Sequence, residues 1–581
     1  MLQPYSGPTS EFRLLHRNEL KWSQSFWLTL VLSLLWACGG GGGSPQEPPT
    51  PSSRPQITAQ PSATAIEEGQ TATFSVTVTG LGPLDYQWLQ NGAPIRMGRS
   101  PILTTPICTL ADDDTPFQVI VTDINGASIA SDIVTVDVQA ATRRVQHYVD
   151  PVNGSDLGDG SSDHPWKTLQ VVLDQRIESR TWEGPLPYAE GQLLVPVHSG
   201  AAVRAGDTIW LRSGDYGAIT IQSLYNSAPV TLAAQTGHIP KFTNVLLRSC
   251  QNWILREWTV SPSFGTPYSV ATMVIIESHD WRGPAFDVVI DGFHIYSVAD
   301  EGAWTTREDW DNLAASAVHA SGDRVTIRNC DIRNVDFGIS LTGRASRAEL
   351  NVIDGFAGDG LRGLGDEETF EYNTVKNRRD VNDNHPDGFQ SWSVGPGGVG
   401  TGVIRNITLR GNIIIGFENP SIPFAGSLQG IGCFDGIYEG WVVENNVIIT
   451  DHWHGISFYG ARNTRIINNT VLDLNAETPG PPWIMVTSHK GGGPSRNCIV
   501  RNNLTTALSL SGEGHLADHN LLLPTPPTGY FVDPANHDVH LAHGSPAIDH
   551  GSASQAPAKD ADGFARPQGV GVDVGAYEYK P

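Results

Sequence analysis

Short runs of alternating apolar and polar residues fill the chain from Ile57 to about Gln139: Thr71 to Thr79, Tyr86 to Leu89, Phe117 to Thr122 and Ile133 to Val138. A period of two marks strands with one buried face, and Asn91-Gly92 and Asn125-Gly126 between them are hairpin-grade turns. A small sandwich is predicted. From Val145 to about Leu523 the texture changes to repeats in which a short apolar strand ends in asparagine, as at Thr326–Asn329, Glu371–Asn373, Leu409–Asn412, Val443–Asn446, Ile467–Asn469 and Val500–Asn503. A glycine-apolar step recurs beside them at Gly338-Ile339, Gly360-Leu361, Gly388-Phe389, Gly430-Ile431 and Gly455-Ile456, at intervals of 22, 28, 42 and 25 residues. Self-similarity at such intervals predicts a solenoid. Asparagine tolerates the left-handed backbone of a sharp corner, and stacked amides bond from coil to coil, so the Asn series reads as structural.

Aligning the coils on their glycines places equivalent residues one strand spacing apart, about 4.8 Å. Ile339, Leu361, Phe389, Ile431 and Ile456 then point inward, and Ser340, Arg362, Gln390, Gly432 and Ser457 form an outward polar column. Two positions on, Trp392, Phe434 and Tyr459 form an outward aromatic stripe, suited to the apolar faces of sugar rings or else covered by a loop as satellite core. On the other side of the glycines lie Asp359, His385 with Asp387, Gln429, His452 with His454, and then His489-Lys490. Asp359 and Asp387 fall in register one coil apart, about 5 Å. Two anions that close need a cation, a shared proton or a chemical task. Three readings stand open: a calcium site completed by Asp383, an acid/base pair of a hydrolase, or a structural pair neutralised by Arg362.

Composition narrows the classes. The 581 residues exceed one ordinary core, and 62 Gly, 39 Pro and a charged fraction of 17% suit turn-rich β structure with little helix. A net charge of −24 without a Lys/Arg run excludes general nucleic-acid binding. Six cysteines, Cys38, Cys108, Cys250, Cys330, Cys433 and Cys498, show no C-x-x-C spacing and read as small buried residues. Near the start, Arg13, Arg17 and Lys21 precede an apolar run, Phe26 to Trp36, of about 11 residues, too short to span a bilayer and right for a signal-peptide core. A Gly/Pro-rich tether follows to residue 56.

Several stretches carry resemblances. Leu35-Trp36-Ala37-Cys38 resembles the bacterial lipobox, with Trp36 where a small residue is usual; it implies removal of residues 1–37 and lipidation of Cys38, an ordinary secretory signal being the other reading. E-E-G-Q-T-A-T-F, Y-Q-W-L-Q-N-G and the run Asp112 to Gly126 resemble a bacterial immunoglobulin-like module over residues 57–140, implying Trp88 as its core tryptophan, with Val119 where the second cysteine of the usual disulfide would fall. Tyr148 to Gln170 and Gly206 to Tyr216 resemble the opening segment of right-handed parallel β-helix proteins of the pectate-lyase-like group, implying that fold over 145–523. The Asp-rich end, 524–581, resembles the closing segment of secreted β-helix proteins and is expected to cover the last coil. His385-Pro386-Asp387-Gly388-Phe389-Gln390 is similar to an H-x-D-G-apolar-Q motif of secreted β-helix proteins of polysaccharide-active type. The motifs of pectin methylesterases and polygalacturonases are not matched.

The expectation is therefore an all-β, exported lipoprotein of the outer membrane or cell surface, the periplasm being the alternative. Its membrane contact is the lipid alone, and its partner is an acidic polysaccharide cleaved by β-elimination. Arg362 and Gln390 would hold the sugar carboxylate, His385 or Lys490 would take the proton, His454 or Tyr459 would serve the leaving oxygen, and Asp387 would orient His385 or bind calcium. Trp392, Phe434 and Tyr459 would bind the chain. A glycoside hydrolase using Asp359 and Asp387, which at about 5 Å would retain configuration, and a non-catalytic carbohydrate-binding or adhesive protein are the alternatives.

Overall fold

The alternating runs pair as strands of a sandwich in the computed structural model, which describes residues 54–580 apart from 68–70, 81–83, 96–97, 106–107, 109–111, 140–144 and 475–478. The leader and Cys38 lie outside the described residues. Thr64–Glu67, Val134–Gln139, Pro116–Thr122, Asp85–Gln90 and Ala93–Pro94 lie side by side, and Ser128–Ala130 also pairs with Pro116–Thr122. Facing them are the pairs Gln56–Ala59 with Thr77–Thr79 and Thr73–Ser75 with Ile102–Thr104. Inward residues of the strands, Phe74, Trp88, Phe117, Val119, Val121 and Val136, form one core. Trp88 is fully buried and its indole N–H donates to Ser100 O at 2.9 Å, so the bulky ring carries no unsatisfied donor. Val119 and Cys108 are buried in the same core, with Cys108 Sγ 3.2 Å from Thr105 Oγ1. Cys250, Cys330, Cys433 and Cys498 are buried, with no disulfide among the described residues.

From Gln146 the chain winds into parallel coils of up to three short strands. Thirteen strands, Gln146–Val149 to Leu516–Asp518, stack as a first sheet, and twenty-one, Gly214–Gln222 to Leu521–Leu522, make the other two faces, called here the second sheet (with Ile413–Ile415 and Val447–Ile449) and the third (with Asp387–Trp392, Gln429–Asp435 and His454–Tyr459). The helix Leu169–Gln175 packs its apolar side, Leu169, Val172 and Leu173, over the start of the core.

The corner after the first sheet shows what the asparagines do. Asn329, Asn445, Asn468 and Asn502 adopt φ of 54°, 57°, 55° and 55°, the left-handed backbone the turn demands. The residue after that corner forms the ladder: Asn351, Asn373, Asn412, Asn446, Asn469, Asn503 and Asn520 bond amide to amide at 2.9–3.0 Å. Each amide also donates to a strand carbonyl, as Asn446 does to Leu409 O at 2.9 Å, so these buried groups are satisfied.

The closing segment clusters with Leu504, Leu521 and Leu523 of the last coils and also reaches beyond them. Phe531, Val539, Leu541, Val574, Ala576 and Tyr577 pack on the outward apolar face of the second sheet, against Ile415, Val447, Ile449, Leu472 and Leu504. That sheet therefore has apolar residues on both faces, and the segment covers its side across several coils. The sandwich also meets the coils: Asp85 stands 3.8 Å from both Arg410 and Arg465, over an acid–base ladder on the first sheet that includes Glu371 and Glu444.

Candidate functional site

Glycine opens the site strands of the third sheet. The registers Ile339↔Leu361↔Phe389↔Ile431↔Ile456 hold as the sequence predicted, and all five side chains are at most 1% exposed. Outward stand Ser340, Arg362, Gln390, Gly432 and Ser457, in the same register. A β-carbon at Gly388 would lie 2.9 Å from Gly430 O, so the strand entrance needs glycine to stack.

Across three of these glycines, Gly360, Gly388 and Gly455, the preceding polar residue bonds to the outward residue three positions later. Asp359 Oδ2 accepts from Arg362 Nε at 2.6 Å, Asp387 Oδ2 accepts from Gln390 Nε2 at 2.9 Å, and His454 Nδ1 pairs with Ser457 Oγ at 2.8 Å. The fourth rung, Gln429 with Gly432, lacks its outer side chain. There Asp387 Oδ1 occupies the space a β-carbon would take, and Phe434 Cε2 would stand 2.7 Å from that carbon. Asp387 is fully buried with Oδ1 unpartnered among the described residues. The pattern is legible in retrospect as D-G-L-R, D-G-F-Q, Q-G-I-G and H-G-I-S at 359, 387, 429 and 454, but the glycine-based parity rule did not reveal the rungs or the role of Gly432.

His385 stands outside this ladder, with its side chain 68% exposed and Nδ1 3.6 Å from Asp387 Oδ2. Its loop is braced by Arg379 to Glu301 at 2.9 Å, Asp380 to Arg307 at 2.9 Å and Asn382 to Asp311 at 3.1 Å. These partners come from an insertion containing the helix Arg307–Leu313, seated on the buried Trp310. The Asp387 carboxylate beside it holds the His385 imidazole above its ordinary value. Burial pushes Asp387 itself up to about 7, with the Asp359 charge adding, while its bonds to His385 and Gln390 pull down.

Arg362 lies with its guanidinium carbon 3.7 Å from the Phe337 ring centre and 5.4 Å from that of Trp392. Only Nε is used on Asp359, which fixes the plane and leaves the Nη groups without a hydrogen bond among the described residues. The aromatic stripe is broken by a bulge: strand Gln429–Asp435 carries one extra residue, so Trp392 pairs with Asp435 and Phe434 is displaced. Phe434 instead meets Tyr459 at 5.3 Å and His454 at 4.9 Å, with Lys490 Nζ 6.0 Å from its ring. All three aromatics are half-buried on the outside of the coils.

Other expected roles meet geometric obstacles. Gln390 donates to Asp387 at 2.9 Å and its Nε2 lies 3.4 Å from His385 Nδ1, so it positions the carboxylate beside the imidazole. Burial depresses His454 to about 4, which leaves a neutral imidazole unsuited to donate a proton near neutral pH. Lys490 points its amine at both oxygens of Asp435, at 2.8 and 3.0 Å, and so is turned to that carboxylate and not toward His385. The calcium set does not fit: Asp359 Oδ1 accepts the Asp387 backbone N–H at 3.0 Å, its Oδ2 is held by Arg362, and Asp383 is exposed. Among the described residues no group of three or more His, Cys, Asp or Glu could hold a metal.

The match to a family model agrees with the coiled architecture. Residues 316–505 match the family described as "Right handed beta helix region". The coils and this match define a right-handed parallel β-helix preceded by a β-sandwich. Over 95 residues the chain is 37% identical to a decoration protein of Escherichia phage T5, an alignment covering 16% of this chain and 57% of that protein. Among solved structures, a rhamnogalacturonan lyase is similar at 14% identity and a TM-score of 0.35, covering 64% of this chain and 87% of its own. The Ig1-2 module of the Drosophila receptor tyrosine phosphatase DLAR is similar at 17% identity and a TM-score of 0.14, covering 17% and 59%.

Proposed function

We propose that this protein is a polysaccharide lyase that cleaves a uronic-acid-containing glycan by β-elimination. The observation that carries the reading is the pairing of an exposed imidazole, His385, with a buried carboxylate, Asp387, near a guanidinium, Arg362, that lies over the Phe337 and Trp392 rings. Elimination needs a base for the proton on the carbon next to the sugar carboxylate, a cation for the charge that develops on that carboxylate, and a proton for the leaving oxygen. His385 takes the proton through Nε2, with Nδ1 turned to Asp387. The electrons of the C–H bond form the new C=C, and the bond to the glycosidic oxygen breaks. Arg362 meets the carboxylate through its Nη groups, Trp392 receives the sugar ring, and Tyr459 or water protonates the leaving oxygen.

The hydrolase reading is less well supported, because Asp359 has both oxygens engaged and is 3% exposed, a poor position for a nucleophile or acid. We further infer that the sandwich is immunoglobulin-like and serves as a spacer, and that lipidated Cys38 holds the protein at the cell surface. A panel of acidic polysaccharides tests the proposal: elimination yields an ultraviolet-absorbing unsaturated end with each new reducing end. New reducing ends without that absorbance would make the protein a hydrolase, and retention of a glycan without either would make it a binding protein.

A further inference from the structure

The outward column that carries Gln390 and Arg362 continues without a break away from His385. Its registers run Gln390↔Arg362↔Ser340↔His319, so His319 lies three strand spacings, about 14 Å, from Gln390 along the same face. There a cleft of about 550 Å³ opens, lined by Glu277, His279, Asp280, Trp281, His319 and Ser321. Its volume is that of a small-ligand site. Trp281 is 51% exposed, a large apolar surface left in water. Its loop is fixed: Trp281 N–H donates to His279 Nδ1 at 3.2 Å, and Trp281 O accepts from Tyr188 N–H at 2.8 Å. The indole is therefore presented by a braced turn.

We propose that this cleft is an accessory sugar subsite, taking an uncharged residue of the same glycan chain. This rests on the lyase reading for the chain's direction along the sheet. The chemistry of the lining differs from that near His385. Arg362 keeps Nη groups without a hydrogen bond among the described residues there, whereas here Glu277 is paired with Arg248 and Asp280 adds a carboxylate. The lining residues include no Lys or Arg, so a uronate finds no fixed cation there and meets the Asp280 carboxylate. A neutral pyranose stacks its apolar face on Trp281 and offers hydroxyls to the carboxylates and to Ser321. The protein would then select a mixed polymer, with uronate at His385 and neutral sugar at Trp281.

Affinity electrophoresis of the full-length His385→Ala protein, which binds without cleaving, through gels containing rhamnogalacturonan (alternating uronate and neutral sugar) or polygalacturonan (uronate only) tests this. The expected result is that adding Trp281→Ala weakens retention by rhamnogalacturonan by roughly 5- to 100-fold, the range of one stacked ring. Trp281→Phe should keep most of it, and retention by polygalacturonan should be unchanged. Equal retention of the His385→Ala protein with and without Trp281→Ala would overturn the subsite and leave the lyase reading standing. Equal losses on both polymers would overturn the preference for a neutral sugar. Retention of the His385→Ala protein by neither polymer would overturn the subsite, and the polysaccharide panel would then decide the lyase reading by itself.

Discussion

Gly432→Ala puts one methyl group where the site has least room. Its β-carbon would stand 2.9 Å from Asp387 Cγ and 2.7 Å from Phe434 Cε2, and nearer still to Asp387 Oδ1. Ordinary carbon contacts begin near 3.5 Å, so the overlap is at least ~0.6 Å on two sides. Phe434 is half-buried on a bulge and can swing outward; the Asp387 carboxylate is enclosed and must be pushed from Gln390 and His385. Overpacking of this kind costs about 1–3 kcal/mol. Displacement of a positioning group by about 1 Å costs on the order of 10²-fold in rate. Urea denaturation of a double-mutant cycle with Asp387→Ala measures the coupling. The alanine at 432 should destabilise the protein while Asp387 is present and cost ~1 kcal/mol or more less once that carboxylate is gone. An equal cost in both backgrounds would refute the contact and with it the explanation of why Gly432 is not a polar rung.

Asp387→Asn should lower turnover and also move the acidic limb of the pH–rate profile. His385 is a base only when neutral, so activity falls as pH drops through its raised pKa; without the carboxylate that pKa descends, and the limb should shift to lower pH, a shift absent if Asp387 is merely structural. Asn446→Ala should destabilise the coils by about 2–4 kcal/mol in urea titrations, because it strands the Asn412 N–H groups and Leu409 O in the interior. Cys38→Ser should transfer the protein from the membrane fraction to the soluble fraction, since stable attachment requires several acyl chains; a parent protein already soluble would exclude the anchor.

The coil register was readable because alternation around a fixed glycine leaves Ile339, Leu361, Phe389, Ile431 and Ile456 no choice of face. The same rule misplaced Trp392 relative to Phe434, because one extra residue at the bulge changes register without changing the apolar pattern. Proximity of Asp359 and Asp387 was legible from spacing, whereas the assignment of their lone pairs was not. Whether an oxygen faces a ligand or a backbone N–H depends on side-chain direction, and the spacing D-G-L-R admits both. The resemblance of the closing segment implies a cover for the last coil but not its reach along the second sheet, because outward residues such as Ile415 and Val447 look like ordinary strand residues until their second apolar face is seen.

The central claim is elimination with His385 as the base, and cleavage in ¹⁸O-labelled water tests it most directly. Elimination breaks the bond on the uronate side of the glycosidic oxygen and uses no water, so both fragments should form without label, one carrying the double bond. His385→Ala should slow that reaction by about 10²- to 10⁴-fold with an unchanged melting profile. One ¹⁸O at each new reducing end, formed in the reaction and not by later exchange, or full activity in His385→Ala, would contradict the account.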